Sequence, residues 1–289
     1  MPFLQFTADV GATDPGPLET ACFLAGALSV TLTDAADDPV LEPAPGATPL
    51  WPTVRLSALF ADQEWERVLA LLSTFLDAPL PAHRFEPVAD RPWEREWLRD
   101  FRAMRFGTRL WVCPHGAPVP SDDAVVVWLD PGLAFGTGSH PSTQLCLEWL
   151  DAAAPQGLEV IDYGCGSGVL AIAAVRLGAR AVTAVDLDPQ ALIATRDNAA
   201  RNDVAARIVT RTAEEPLGTA DVLLANILSE PLVELAPRFA TLVRPGGRIV
   251  LAGLIVSQAG TVTLAYRPWF DIQSFGAHDE WVCLHGVRR

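Results

Sequence analysis

Glu159–Asp188, EVIDYGCGSGVLAIAAVRLGARAVTAVDLD, decides the fold. A short apolar run, Val160-Ile161, has the composition of a buried strand, and glycines follow at alternate positions, Gly164, Gly166 and Gly168. Val169, Leu170, Ile172, Ala173, Val175 and Leu177 then recur at helical spacing, and Gly178 stands where a left-handed C-terminal cap is wanted. A second apolar strand, Ala181–Val185, ends on Asp186. Strand, glycine-rich turn, helix, strand and acid together form a unit suited to an adenosine-containing cofactor. Glycines permit a sharp turn and a close approach of ligand to backbone. The acid is placed to accept hydrogen bonds from ribose hydroxyls, and Asp186 lies about 20 positions after Gly164, as that role requires.

The spacing departs from a dinucleotide site. G-x-G-x-x-G starting at Gly164 requires glycine at 169, where Val169 stands. On the residues alone, a plain βα turn with packing glycines and a nicotinamide site both stay open beside a mononucleoside cofactor. The run Asp162–Gly168, DYGCGSG, resembles the first motif of the Rossmann-like S-adenosylmethionine (SAM) methyltransferases, which implies SAM.

At 289 residues, half of them hydrophobic, the chain is long enough for two domains with substantial cores. No apolar run approaches about 18 residues, and the first 20 residues lack a basic start followed by a hydrophobic stretch. A soluble, cytoplasmic protein without a membrane partner is expected. Five scattered cysteines form no C-x-x-C pair, so neither a disulfide framework nor a metal site is expected. The formal net charge of −14 argues against a nucleic-acid-binding surface and suits a basic partner, and it also serves solubility.

Residues 3–9 read as a strand, followed by a helix carrying Leu18, Ala21, Cys22, Ala25 and Leu28, and a strand at 29–32. A Pro-, Gly- and Asp-rich loop leads to a strand at 53–56, a helix capped by Asp62, and a strand near 83–88. Strand–helix–strand twice over predicts a small ferredoxin-like α+β domain over 1–90. A linker helix is expected at 91–104, where Trp93, Trp97, Leu98 and Phe101 form an apolar stripe. Residues 105–289 form the second domain. It begins with short β segments at 109–113 and 124–129, and the glycine-rich loop DPGLAFGTGSHPST (130–143) precedes a helix. In that loop a hydrogen-bonded His140 is favoured over a catalytic base. Further strands are expected at 208–212, 221–225, 248–252, 270–274 and 281–287, with helices from Pro189 and over 232–242. Glu214 and Glu215 stand where an adenine amino group could be met. Asn226, at a strand end, falls beside the cofactor unit.

Three pieces together, GLAFGTGSHPST, DYGCGSG with VDLD, and ANIL, closely resemble the PrmA family, methyltransferases of large-subunit ribosomal protein eleven. The resemblance is strong over about 125–289 and rests on element order alone in the first 100 residues. It implies a Rossmann-like methyltransferase domain with a mostly parallel seven-stranded sheet. It also implies transfer of up to three methyls from SAM to lysine ε-amines and the N-terminal α-amine of that stalk-base protein, leaving S-adenosylhomocysteine. The first domain would dock the basic substrate, with the linker letting it reposition; a monomer is expected. Carried over by motif, Thr143, Gly164, Gly166, Asp186 and Asn226 contact SAM, Phe135 and Gly138 wall the pocket, and Asn226 orients the amine.

Related enzymes acting on bases or glutamine carry Asn-Pro-Pro-Tyr at this strand end. Asn226-Ile227-Leu228-Ser229 has no ring to stack on a planar substrate, which disfavours a flat base or amide. The alternatives are a same-fold methyltransferase of another protein or small molecule, and a non-catalytic SAM-binding ribosome-assembly factor. All 21 basic residues are arginine; biased composition explains the missing lysine more simply than protection from self-methylation.

Overall fold

The computed structural model describes residues 3–36, 50–61, 64–88, 102–119, 121–129 and 138–289. Contacts divide the chain into two compact units, Met1–Glu96 and Trp97–Arg289. The helix expected at 91–104 lies outside the described residues as far as 101, and Met104 itself opens a strand. Asp62 is also outside them.

The first unit runs β1 (Phe3–Gly11), α1 (Gly16–Leu24), β2 (Ser29–Asp34), β3 (Val54–Ala61), α2 (Trp65–Phe75) and β4 (His83–Val88). Its sheet has the order β2-β3-β1-β4 with every neighbour antiparallel, the ferredoxin-like arrangement. Strand alternation sends Leu4, Phe6 and Ala8, with Leu56, Ala58 and Phe60, onto Leu18, Ala21, Cys22, Val68 and Leu72 of the helices. The cross-strand register puts Thr31, Thr33, Arg55, Ser57 and Glu86 on the other face.

The second unit opens with β5 (Met104–Phe106), β6 (Leu110–Cys113) and β7 (Val125–Trp128), a three-stranded sheet in that order. The sequence pattern gave no sign of β5, which is only three residues long. Then come α3 (Pro141–Ala153), β8 (Glu159–Tyr163), α4 (Val169–Arg176), β9 (Ala181–Asp186), α5 (Pro189–Arg201), β10 (Ile208–Thr212), β11 (Ala220–Asn226), α6 (Ser229–Leu242), β12 (Val243–Ile255), α7 (Ala259–Tyr266), β13 (Phe270–His278) and β14 (Trp281–Arg288). The seven-stranded sheet has the order β10-β9-β8-β11-β12-β14-β13. Its first five strands are parallel, and β14 is antiparallel to both β12 and β13. Helix α7 was not anticipated, because only Val262 and Tyr266 of it are buried and eight residues give little periodicity.

Adjacent strand residues feed opposite faces. Val160, Val182, Val222, Leu224, Val250 and Ala252 pack with α3, α4 and α5, while Ile161, Val185, Leu223, Ala225, Ile249 and Leu251 pack with α6 and α7. Both faces being covered, the strands read as continuous apolar runs. The chain winds outward from β8 through β9 to β10, then returns to β11 on the other side of β8. Strand order therefore reverses between β8 and β11, and a crevice opens at their carboxyl ends.

Residues 226–228, at the end of β11, are fixed by that crevice. Ile227 N–H donates to Ala252 O at 3.2 Å. A Cβ on Gly253 would run into the Ile227 carbonyl oxygen and come within 2.8 Å of its carbonyl carbon and 2.9 Å of its nitrogen. Gly253 also has φ +84°, which glycine alone adopts without strain. Gly253→Ala is therefore predicted to lower unfolding stability by about 2–5 kcal/mol in urea titration. A loss below about 0.5 kcal/mol would show that this contact is not tight.

Candidate active site

Beyond the central strand β8, the chain turns through Gly164, Cys165, Gly166, Ser167 and Gly168 into α4. Backbone N–H groups of Gly164 and Cys165 donate to Val185 O at 2.7 and 3.0 Å, tying the turn to β9. Helix α5 holds it from outside: Thr195 Oγ1 donates to Gly166 O at 3.0 Å and Asn198 Nδ2 to Ser167 O at 2.9 Å. Asp186 completes the frame, its Oδ2 accepting from Gly166 N–H at 2.9 Å and its Oδ1 from Asp188 N–H at 3.0 Å. The expected ribose acceptor is thus built into the glycine turn. Each carboxylate oxygen keeps a further lone pair.

Gly164 has a packing job as well. At φ +82°, its missing Cβ makes room for the Ile227 side chain, so the turn and the end of β11 interlock. Helix α4 starts at Gly168, which has no side chain to cap it. Asp162, fully buried in β8, supplies the cap instead: its Oδ2 accepts from Ala171 N–H at 3.0 Å. Its Oδ1 has no partner among the described residues.

A cavity of about 380 Å3 lies at the carboxyl ends of β8 and β11. Thr143, Gly164, Gly166 and Asn226 line it together, as the sequence places them, with His140, Ser142, Ile227, Leu228, Gly253 and Trp281 also in its wall. Asn226 Nδ2 donates to the buried Thr143 Oγ1 at 3.1 Å, which orients the amide. Its Oδ1 makes no hydrogen bond to any described residue. Among the described residues, no carboxylate and no arginine lines the cavity. Gly138 is not part of this wall; it packs toward Met104, Phe106 and Leu147. Phe135 lies outside the described residues.

Two expectations change. Ser142 and Thr143 do not precede the helix but occupy its first turn, because Pro141 takes the N-terminal helical position and His140 is the cap. His140 Nδ1 accepts from Ser142 N–H at 3.3 Å and lies 2.8 Å from Ser142 Oγ. A backbone N–H can only donate, so the neutral ring carries its proton on Nε2 and offers the cavity no basic lone pair. Desolvation lowers the His140 pKa, which favours that neutral form. Glu215 is also spoken for: its carboxylate accepts from Thr212 N–H at 2.7 Å and pairs with Arg211 at 3.0 Å. Those bonds tie it to the end of β10, and it is not among the described residues lining the cavity.

Ile227, Gly253 and Trp281 were missed. ANIL singles out Asn226 and not Ile227, LAG reads as an ordinary strand end, and only the β11–β12 and β12–β14 pairings bring these residues together. A second cavity, about 350 Å3, sits at the amino ends of β8, β9 and β11. Its Arg244 is committed to Asp221, Glu159 and Thr219 O.

A family model described as "Ribosomal protein L11 methyltransferase (PrmA)" matches residues 3–289. The chain is 47% identical over 291 residues to the ribosomal protein L11 methyltransferase of Cellvibrio japonicus, covering 100% of this chain and 99% of that relative. It is 49% identical over 292 residues to that of Azotobacter vinelandii, covering 100% of both. A crystal structure of ribosomal protein L11 methylase from Lactobacillus delbrueckii subsp. bulgaricus superposes with a TM-score of 0.59 at 31% identity, covering 65% of this chain and 100% of that one. The fold and site are those of a SAM-dependent methyltransferase with a Rossmann-like domain. The chain belongs to the PrmA family.

Asp162 gives the site a pH signature. Burial raises its pKa, the Ala171 N–H hydrogen bond opposes that, and the Asp186 charge adds to it, leaving it pushed up to about 7. The unfolded chain loses this proton near pH 4 and the folded chain near pH 7, so stability falls as pH rises between the two. The slope is on the order of 1.4 kcal/mol per pH unit. In Asp162→Asn this contribution disappears, so thermal unfolding measured from pH 5 to 8 should move in the variant's favour as pH increases. A wild-type-minus-variant difference that stays constant over that range would show that Asp162 does not titrate there.

Proposed function

We propose that this chain methylates lysine ε-amines and the N-terminal α-amine of ribosomal protein L11, adding up to three methyls to each. The observation that carries this reading is the wall of the cavity. Beside the glycine turn it offers one oriented amide, Asn226, and no ionised side chain among the described residues. Relatives named for L11 methylation at 47–49% identity over the whole chain support the substrate.

Gly164, Gly166, Asp186, Thr143 and Asn226 are the residues we assign to SAM. The fit rests on the bare backbone of the turn and on the spare acceptor capacity of Asp186. When bound, SAM supplies an electrophilic methyl group, which passes to the amine nitrogen as the C–S bond breaks with its electron pair left on sulfur. A lysine ammonium has a pKa of about 10.4 and an α-ammonium about 8, so the amine must first give its proton to water. A cavity without carboxylates disfavours the ammonium and helps that loss. Asn226 Oδ1, with Nδ2 held by Thr143, is placed to accept an amine N–H and aim the nitrogen lone pair. Holding the amine in line is the main service the protein performs.

The 1–90 domain we assign to substrate docking. Its polar open sheet face supports that role, and the chain's net charge of −14 suits a basic partner at the stalk base. We also infer a monomer working in the cytoplasm; no described helix is long and apolar enough to cross a membrane.

Incubating the full chain with SAM and purified L11 should produce stepwise methyl gains by intact mass, mapping to lysines and the N-terminus. SAM binding without any gain would instead favour a non-catalytic assembly role. Asn226→Ala is expected to slow transfer at saturating SAM at least tenfold, the loss of one oriented hydrogen bond. A wild-type rate would remove Asn226 from the mechanism.

A further inference from the structure

The cavity wall divides by chemistry. Thr143, Gly164, Gly166 and Asn226 supply the hydrogen-bonding part already assigned. Ile227, Leu228 and Trp281 are apolar and have no role in that assignment. Trp281 opens β14 and is held from two directions. Its strand pairs with His278 and Ile255, and its ring meets the His140 ring edge to face at 4.5 Å and 73°. His140 is itself locked by Ser142. The two-residue turn before Trp281 places Asp279 at φ +52°, a conformation that costs a non-glycine residue free energy and so reflects a tightly specified hairpin. The indole is therefore a fixed surface. Leu228, 52% exposed and in the same cavity wall, adds apolar surface along which an aliphatic stem can lie.

Successive transfers change what the site must recognise. Each methyl replaces an N–H donor with an apolar group, so an amine oriented only by N–H bonds to Asn226 loses its hold as methylation proceeds. Between transfers the nitrogen is an ammonium again at neutral pH, and among the described residues no carboxylate lines the cavity to receive it. An aromatic face needs no N–H; it attracts a methylated ammonium through its quadrupole and binds the methyls by contact.

We propose that Trp281 is the residue that receives the partly methylated ammonium between transfers and thereby sets how many methyls one amine accumulates. This rests on the amine-methylation reading above and goes beyond it, since it separates the first transfer from the later ones.

The test uses the full-length wild type, Trp281→Leu and Trp281→Phe, each checked for S-adenosylhomocysteine affinity. In one arm, L11 and SAM are incubated with each protein and methyl states are counted by intact mass. In the other, calorimetry with S-adenosylhomocysteine present measures binding of a trimethyl-lysine peptide and of its uncharged tert-butyl isostere. Trp281→Leu should slow the second and third transfers at least tenfold more than it slows the first, and weaken the trimethyl-lysine peptide about tenfold relative to the isostere. Trp281→Phe should fall between, as the cation–π strengths do.

An unchanged methyl distribution and an unchanged preference for the charged peptide would overturn the proposal. Should Trp281→Leu lose S-adenosylhomocysteine binding through misfolding, Trp281→Phe decides alone: no loss of charged-peptide preference overturns it. A wild type that adds no methyl to L11 contradicts the substrate reading instead, and the peptide arm then still decides the role of Trp281.

Discussion

Ile227 is clamped between two glycines, and the site depends on that clamp. On one side its side chain fills the space left by the absent Cβ of Gly164, in the turn after β8; on the other its backbone lies against Gly253 of β12. The contact ties three neighbouring strands, β8, β11 and β12, at their carboxyl ends. It fixes the backbone on either side of Ile227 and so sets where Asn226 and Leu228 sit. With Thr143 holding the Asn226 amide, a polar group stands at a defined place beside a bare backbone turn. Close packing of this kind positions a reactant through rigid elements and asks little of mobile loops.

The electrostatics are arranged in layers. The chain carries a large negative charge, yet the described residues of the cavity wall include no ionised side chain. Asp186 spends part of its acceptor capacity on the turn it serves, and Asp162 is buried beneath with one oxygen unpartnered. The Asp186 charge therefore lies behind the glycine turn, where a cationic cofactor gains from it. His140, the one imidazole in the wall, is turned to cap α3 and brace Trp281.

Most of the fold was legible because its signals are local. Buried parallel strands write themselves as short apolar runs, and Gly178 and Pro189 mark helix ends. The order of elements in the first 88 residues sufficed for a ferredoxin-like sheet, and Thr143, Gly164, Gly166 and Asn226 do converge on one cavity. What escaped depends on pairing across the sheet. Gly253 is unremarkable in LAGLI until β12 is laid beside β11, and Trp281 reads as a strand residue until β14 folds back antiparallel beside β12. Gly138, expected from its loop motif in the pocket wall, is not among the described residues lining the cavity; α3 and β5 hold it near Leu147 and Phe106. Helix α7 and strand β5 were too short to show a period.

The most direct measurement is a crystal structure of the full chain with S-adenosylhomocysteine. The account predicts ribose hydroxyls on Asp186, the sulfur beside Asn226, and open space between that sulfur and Trp281. Ligand bound elsewhere, or a sulfur turned away from Asn226, would contradict it.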